Sequence, residues 1–149
     1  MSAQLNAVLV VEDSPQDYEV TERALRDVGM KNEILHFEDG DDVIDYLECL
    51  VAKDPKGLPC LILLDLNLPG SSGHEVLETL RGNAQLRHLP VVVLTTSSAA
   101  RDIRKSYLLG ANSYLQKPVN LNAFRATIDT FAKYWFHTAL LPSSSEGCP

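Results

Sequence analysis

Residues 61–73 read L-I-L-L-D-L-N-L-P-G-S-S-G, and this stretch constrains the fold more than any other. Four consecutive aliphatics have the continuous apolar character of a strand buried on both faces, as in a parallel sheet. A buried helix segment has a similar composition, but Pro59 before the run and Pro69-Gly70 after it leave too little length for one. Asp65 therefore stands at the carboxyl end of a strand, where the chain enters a loop. Ligands of open α/β sheets bind at those ends. A carboxylate so placed is a nucleophile, a metal ligand or both, unless it merely forms an Asx turn.

The remainder of the chain alternates apolar runs with helical segments. Residues 7–11 form a first buried strand, followed by Ser14 as a helix cap and Pro15 in the first turn. Val20, Ala24 and Val28 give that helix an apolar stripe, and Gly29 closes it. Residues 33–37 alternate polar and apolar, as an edge strand does, and Gly40 precedes a helix with Val43, Ile44 and Leu47 inward. After the central strand comes a helix over 74–81 with Val76, Leu77 and Leu80 inward. Pro90 leads into a strand over 91–94, a helix over 99–109 ends at Gly110, 112–115 is a fifth strand, and Asn120 caps a long last helix. Repeated βαβ units with right-handed crossovers imply an α/β fold, a doubly wound five-stranded parallel sheet in the order 2-1-3-4-5. The winding reverses between strands 1 and 3, so the switch point lies between their ends.

A chain of 149 residues, 45% hydrophobic, suits one domain. The expected division is a domain over 1–137 with an extended last helix, then a partly disordered tail over 138–149 ending S-S-S-E-G-C-P. The net charge of −7 argues against nucleic-acid binding. Residues 1–48 hold 13 acids and 3 bases, whereas 99–149 hold 6 bases and 3 acids, which suggests a cation site at one end. Cys49, Cys60 and Cys148 show no metal-ligand spacing, and reduced thiols in a cytoplasmic protein are expected. Neither a signal peptide nor a membrane span is evident. His36, His74, His88 and His137 lack metal spacing and are read as structural or solvated.

Strand 1 ends in Glu12-Asp13, strand 3 in Asp65, strand 4 in Thr95-Thr96, and strand 5 leads to Lys117-Pro118. Three carboxylates converging at the switch point repel one another unless a cation neutralises them. A hard divalent ion with oxygen ligands, Mg²⁺ above all, suits them. Lys117 adds a fixed positive charge and Thr95 a hydroxyl donor. Taken singly, such residues are more often solvated acids, a turn threonine and a surface lysine. Together they are the parts needed to receive a phosphoryl group, with Asp65 attacking in line.

The set V-V-E-D-S-P, L-L-D-L-N-L-P-G-S-S-G, V-V-V-L-T-T-S and Y-L-Q-K-P closely resembles the receiver domain of two-component response regulators, over about residues 7–131. The resemblance implies a flavodoxin-like receiver fold with Asp65 as phosphoacceptor. It implies that Glu12, Asp13, Asp65 and the Asn67 carbonyl organise Mg²⁺. Thr95 is then the switch hydroxyl, Lys117 the phosphoryl-binding lysine, Tyr114 the rotating aromatic, and Lys117-Pro118 a cis peptide. Glu12 where the family often has Asp is a common variant. E-D-S-P-Q-D, L-T-T-S-S, A-N-S-Y-L-Q-K-P and Y-W-F look like the small single-domain regulators paired with cyanobacterial and bacterial phytochromes. The implied partner is a sensor histidine kinase of that kind.

Leu121, Phe124, Ile128, Phe131 and Trp135 form a stripe on one face of the last helix, with Arg125, Asp129 and Lys133 as an outer ladder. Phe131, Tyr134, Trp135 and Phe136 offer more aromatic surface than a domain end needs. They are expected to form a homodimer interface, the other reading being a fold-back onto the core. The leading reading is a phosphorylated signalling switch without an output domain, not an enzyme beyond its own phosphorylation and dephosphorylation. An aspartyl phosphohydrolase is disfavoured because Asn67 stands where such enzymes carry an acid. A phosphorylation-independent interaction module is disfavoured by the complete acidic site. A Rossmann nucleotide binder is disfavoured because no G-x-G-x-x-G follows the first strand.

Overall fold

The computed structural model describes residues 6–142. Five short strands, β1 (Val8–Val11), β2 (Ile34–Phe37), β3 (Leu61–Leu64), β4 (Val91–Thr95) and β5 (Ser113–Gln116), alternate with five helices. The helices are α1 (Pro15–Asp27), α2 (Gly40–Lys53), α3 (Gly73–Arg81), α4 (Ala100–Leu108) and α5 (Leu121–Lys133). All strand pairs are parallel, in the order β2-β1-β3-β4-β5, as the alternation of elements predicts.

The two faces of the sheet follow from the period-2 geometry of strands. Leu9, Val11, Ile62, Leu64, Val91 and Val93 point to one side and pack with Val43 and Leu47 of α2 and Val76, Leu77 and Leu80 of α3. Val8, Val10, Leu61, Leu63, Val92 and Leu94 point to the other, against Ala24 and Leu25 of α1 and Phe124, Ile128 and Phe131 of α5. Each such side chain contributes about 1.5–3 kcal/mol on burial. A charge at Leu63, with helices on both sides of its strand, would therefore unfold the domain.

Several local expectations are refined or corrected. Thr21, Ala24 and Leu25 are the buried residues of α1, and Val20 and Val28, though half-buried, pack against the same core as Ala24. Ile44 likewise is half-buried and packs against the core of Val43 and Leu47. Strand β4 extends through Thr95, paired with Gln116, so Thr95 belongs to the sheet rather than to a following turn. Leu121, the first residue of α5, is 63% exposed rather than part of the buried stripe. Arg125 pairs across to Asp27 on α1, leaving Lys133–Asp129 at 3.0 Å as the surviving rung of the ladder. No cis peptide occurs among the described residues, so Lys117-Pro118 is trans, the lower-energy isomer of an X–Pro bond.

The last helix also ends differently. Tyr134–Thr138 widens into a π-helical turn, closed by the Ala139 amide donating to the Tyr134 carbonyl at 2.7 Å. Widening redirects the aromatics. Trp135 and Phe136 become half-buried against the α1/α5 side of the core, and the Phe136 ring meets Phe131 edge-on at 6.4 Å. Phe131 itself is 4% exposed and belongs to the core, so it is not a free interface anchor. Of the four expected anchors only Tyr134, 53% exposed, stands clear. The expected disorder over 143–149, including Cys148, lies outside the described residues.

Candidate functional site

The parallel sheet delivers its chemistry to one end. Val11 is in register with Leu64, so the residues that follow them, Glu12 and Asp65, emerge side by side at the switch point. Asp65 is held on one side by the Asn67 amide, which donates to Oδ1 at 3.2 Å. On the other, Lys117 Nζ donates to Oδ2 at 2.9 Å. The approach is close: a Cβ on Gly73 would overlap the Asp65 carbonyl, and the Gly73 amide donates to the Leu66 carbonyl at 2.9 Å. Glycine is what lets α3 begin against the acceptor strand.

Glu12, Asp13 and Asp65 each offer a carboxylate oxygen, and these lie within 4.8 Å of one another. Glu12 and Asp65 are buried, while Asp13 is exposed at the rim. The backbone at Glu12 is fixed by His36, whose Nε2–H donates to the Glu12 carbonyl at 2.7 Å while its ring stacks on Tyr18 at 3.7 Å. The structural reading of His36 is thereby explained. His74 is structural too, its Nε2 lying 2.9 Å from Ser106 Oγ.

Lys117 is the counter-charge. Its ammonium lies 2.6 Å from Glu12 Oε1, 2.9 Å from Asp65 Oδ2 and 3.0 Å from Asp17 Oδ2, with the lysine side chain 4% exposed. Burial pushes Glu12 from 4.5 up to about 7, and the hydrogen bond from Lys117 offsets only part of that. Burial alone would lower Lys117, but its hydrogen bonds to Glu12 and Asp65 prevail and hold it above its ordinary value. The two shifts have different causes: burial disfavours the Glu12 carboxylate, whereas the surrounding carboxylates favour the Lys117 ammonium. Hard oxygen donors with surplus negative charge fit a divalent cation.

Thr95 lies at the end of β4, fully buried, and its Oγ1 has no hydrogen-bond partner. Tyr114 sits on β5, two residues before Gln116, the partner of Thr95. Glu12, Asp13, Asp65, Asn67, Thr95 and Lys117 thus lie at or just past the carboxyl ends of their strands, whereas Tyr114 stands further back on β5, opposite Val93. The sequence reading did not assign a role to Asp17, although its motif E-D-S-P-Q-D contains it; the available signal was an acid on the first turn of α1, just past Asp13.

A doubly wound parallel sheet of this order, with its charged pocket at the switch point, defines a flavodoxin-like α/β protein. The chain belongs to the response regulator family: the model of the response regulator receiver domain matches residues 8–129. Response regulators are signalling proteins. The probable methanogenesis regulatory protein FilR2 of Methanothrix harundinacea is 38% identical over 128 residues, 86% of this chain and 82% of that protein. Response regulator Rcp1 of Synechocystis sp. is 36% identical over 137 residues, 92% of this chain and 93% of that one. Its Mn²⁺-bound form superposes with a TM-score of 0.86, covering 93% of this chain and 99% of that one. The phosphorylated cyanobacterial phytochrome response regulator RcpA, 36% identical, gives a TM-score of 0.85 with the same coverage.

Proposed function

We propose that this receiver domain is a switch that takes a phosphoryl group from a sensor histidine kinase onto Asp65. The observation that carries the reading is the juxtaposition of Asp65, the Lys117 ammonium at 2.9 Å and the orphaned, fully buried Thr95 hydroxyl. Asp65 Oδ forms the new P–O bond while the donor's P–N bond breaks and its electron pair returns to the imidazole. Lys117 neutralises phosphoryl oxygens, and the Thr95 hydroxyl turns to donate to one of them, gaining the hydrogen bond it lacks. Glu12, Asp13, Asp65 and the Asn67 carbonyl are the residues that would hold Mg²⁺, which supplies further neutralisation of charge when bound.

Acetyl phosphate with Mg²⁺ is expected to add one phosphoryl group, lost in Asp65→Asn. Label surviving in that variant would refute the assignment. Asp13→Ala, at the exposed rim, is expected to weaken Mg²⁺ binding while leaving stability nearly unchanged. Unaltered Mg²⁺ affinity by titration would make the acids merely solvated charge.

A phytochrome is the kinase class this reading favours, supported by the likeness to RcpA over nearly the whole chain. Phosphotransfer from a panel of purified kinases tests it, a faster rate from phytochrome kinases being the expected result. The reading also includes a homodimer through the last-helix face. A groove of about 460 Å³ lies between β5 and α5, lined by Leu115, Phe131, Tyr134 and Trp135 among others. An apolar groove beside an edge strand suits a second copy related by a two-fold axis.

A further inference from the structure

Two helices of this protein open with the same pattern, Ser-x-x-acid, and use it differently. In α3 the pattern closes a capping box: Ser72 Oγ accepts from the Glu75 amide at 3.2 Å, and Glu75 Oε1 accepts from the Ser72 amide at 2.8 Å. In α1 only half of that box exists. Ser14 Oγ accepts from the Asp17 amide at 3.2 Å, but the Ser14 amide donates to Glu12 Oε2 at 3.1 Å. Glu12 has taken the place of the third-residue acid, and the Asp17 carboxylate is free to do something else. It turns to Lys117, 100 residues away in sequence.

The ammonium of Lys117 has three N–H donors. Glu12, Asp65 and Asp17 use all three in this unphosphorylated pocket, at 2.6, 2.9 and 3.0 Å. A phosphoryl oxygen arriving on Asp65 can accept a hydrogen bond from Lys117 only if one of these carboxylates lets go. The side chains of Glu12 and Asp65 are 3% and 7% exposed, whereas that of Asp17 is 31% exposed. Asp17 can exchange the ammonium for water at the lowest desolvation cost. Its backbone stays put, fixed by the Ser14 cap and by Thr21 Oγ1 donating to its carbonyl at 2.8 Å.

We propose that Asp17 is a positioning residue that competes with the incoming phosphoryl group for Lys117. It holds the ammonium in the resting protein, and it sets a like charge at the mouth of the pocket that an anionic phosphodonor must pass. This charge slows phosphorylation and tunes its rate. The inference rests on Asp65 being the phosphoacceptor.

The test uses the full chain, acetyl phosphate and excess Mg²⁺. Asp17→Asn is expected to be phosphorylated faster at low ionic strength, on the order of threefold to tenfold, the size of a like-charge interaction open to solvent. The gain is expected to shrink toward unity near ~1 M salt, where the screening length falls to about 3 Å. Asp17→Glu is expected to restore a rate close to that of the wild type, and Asp17→Ser, which also removes the charge, to reproduce the sign of Asp17→Asn. Beryllofluoride, a phosphoryl mimic that needs no turnover, is expected to bind Asp17→Asn more tightly by a similar factor. In the metal-free, unphosphorylated protein, the Lys117 ammonium protons are expected to exchange with water faster in Asp17→Asn by NMR. A folded Asp17→Asn that is phosphorylated no faster than wild type at low salt, or whose gain ignores salt, overturns the proposal. Wild-type protein that takes no label, or label that survives Asp65→Asn, overturns instead the reading on which it rests.

Discussion

Tyr114 donates its hydroxyl proton to the Ser97 carbonyl at 2.9 Å, tying β5 to the loop that follows β4. Ser97 Oγ in turn donates to Asp102 Oδ2 at 2.6 Å, which carries the tie into the first turn of α4. That helix is weakly anchored: Ser106 is its only fully buried residue, and Tyr107 and Leu108 are 49% and 79% exposed. A helix with so little apolar burial moves at low cost. Tyr114→Phe removes the tie, worth about 1 kcal/mol. Amide exchange over residues 97–102 is therefore expected to quicken by roughly fivefold, with phosphorylation of Asp65 unaffected. Unchanged exchange would mean that other contacts hold the loop.

Thr95 carries a buried hydroxyl with no partner. Such a group is a standing cost to the resting state. Thr95→Val keeps the shape and discards the hydroxyl, so the unphosphorylated protein is expected to gain about 1 kcal/mol in urea unfolding. The variant is still expected to accept phosphate, while losing the effect of phosphorylation on partner binding. A Thr95→Val protein that is less stable, or that responds fully, would contradict the role given to this residue.

Glu12 is raised to about 7 by burial, from an ordinary 4.5. Its folded-state value exceeds its unfolded one, so the folded protein holds the proton more tightly. The resulting contribution to stability is fully present below about 4.5 and is lost as pH rises through about 7. Metal-free wild type is expected to lose stability over this window relative to Glu12→Gln, by on the order of 1–3 kcal/mol between roughly pH 5 and pH 8. Parallel stability profiles for the two proteins would show that Glu12 titrates normally.

Tyr134, 53% exposed and lining the β5/α5 groove, is the free aromatic of the last-helix face. Trp135 is already half-buried in its own domain. Tyr134→Ala is accordingly expected to weaken the proposed homodimer with little loss of folding stability, whereas Trp135→Ala lowers both. An interface aromatic of this kind contributes about 2 kcal/mol or more. Sedimentation at tens of micromolar decides the matter: a wild-type monomer at that concentration ends the dimer proposal.

What the sequence by itself determined is nearly all of the sheet and the identity of the pocket. Buried parallel strands must be continuously apolar, so residues 61–64 and 91–94 declare themselves, and polar residues directly after such runs have to lie at or beside strand ends. Crossover handedness then leaves one sensible winding, and Glu12, Asp65, Thr95 and Lys117 fall together without any side-chain geometry. Local periodicity was less complete in α1, where Thr21 and Leu25 are buried more deeply than the half-buried Val20 and Val28, because spacing alone does not set how far each position of a face is covered. Only the tertiary structure decided how partners are shared. Whether Asp17 completes its own cap or reaches Lys117 depends on Glu12 already occupying the Ser14 amide. Whether Trp135 is an anchor or part of the core depends on a π-helical turn whose closing bond spans Tyr134 and Ala139. Residue type states what a side chain can bind; competition among neighbours brought together by the fold settles what it does bind.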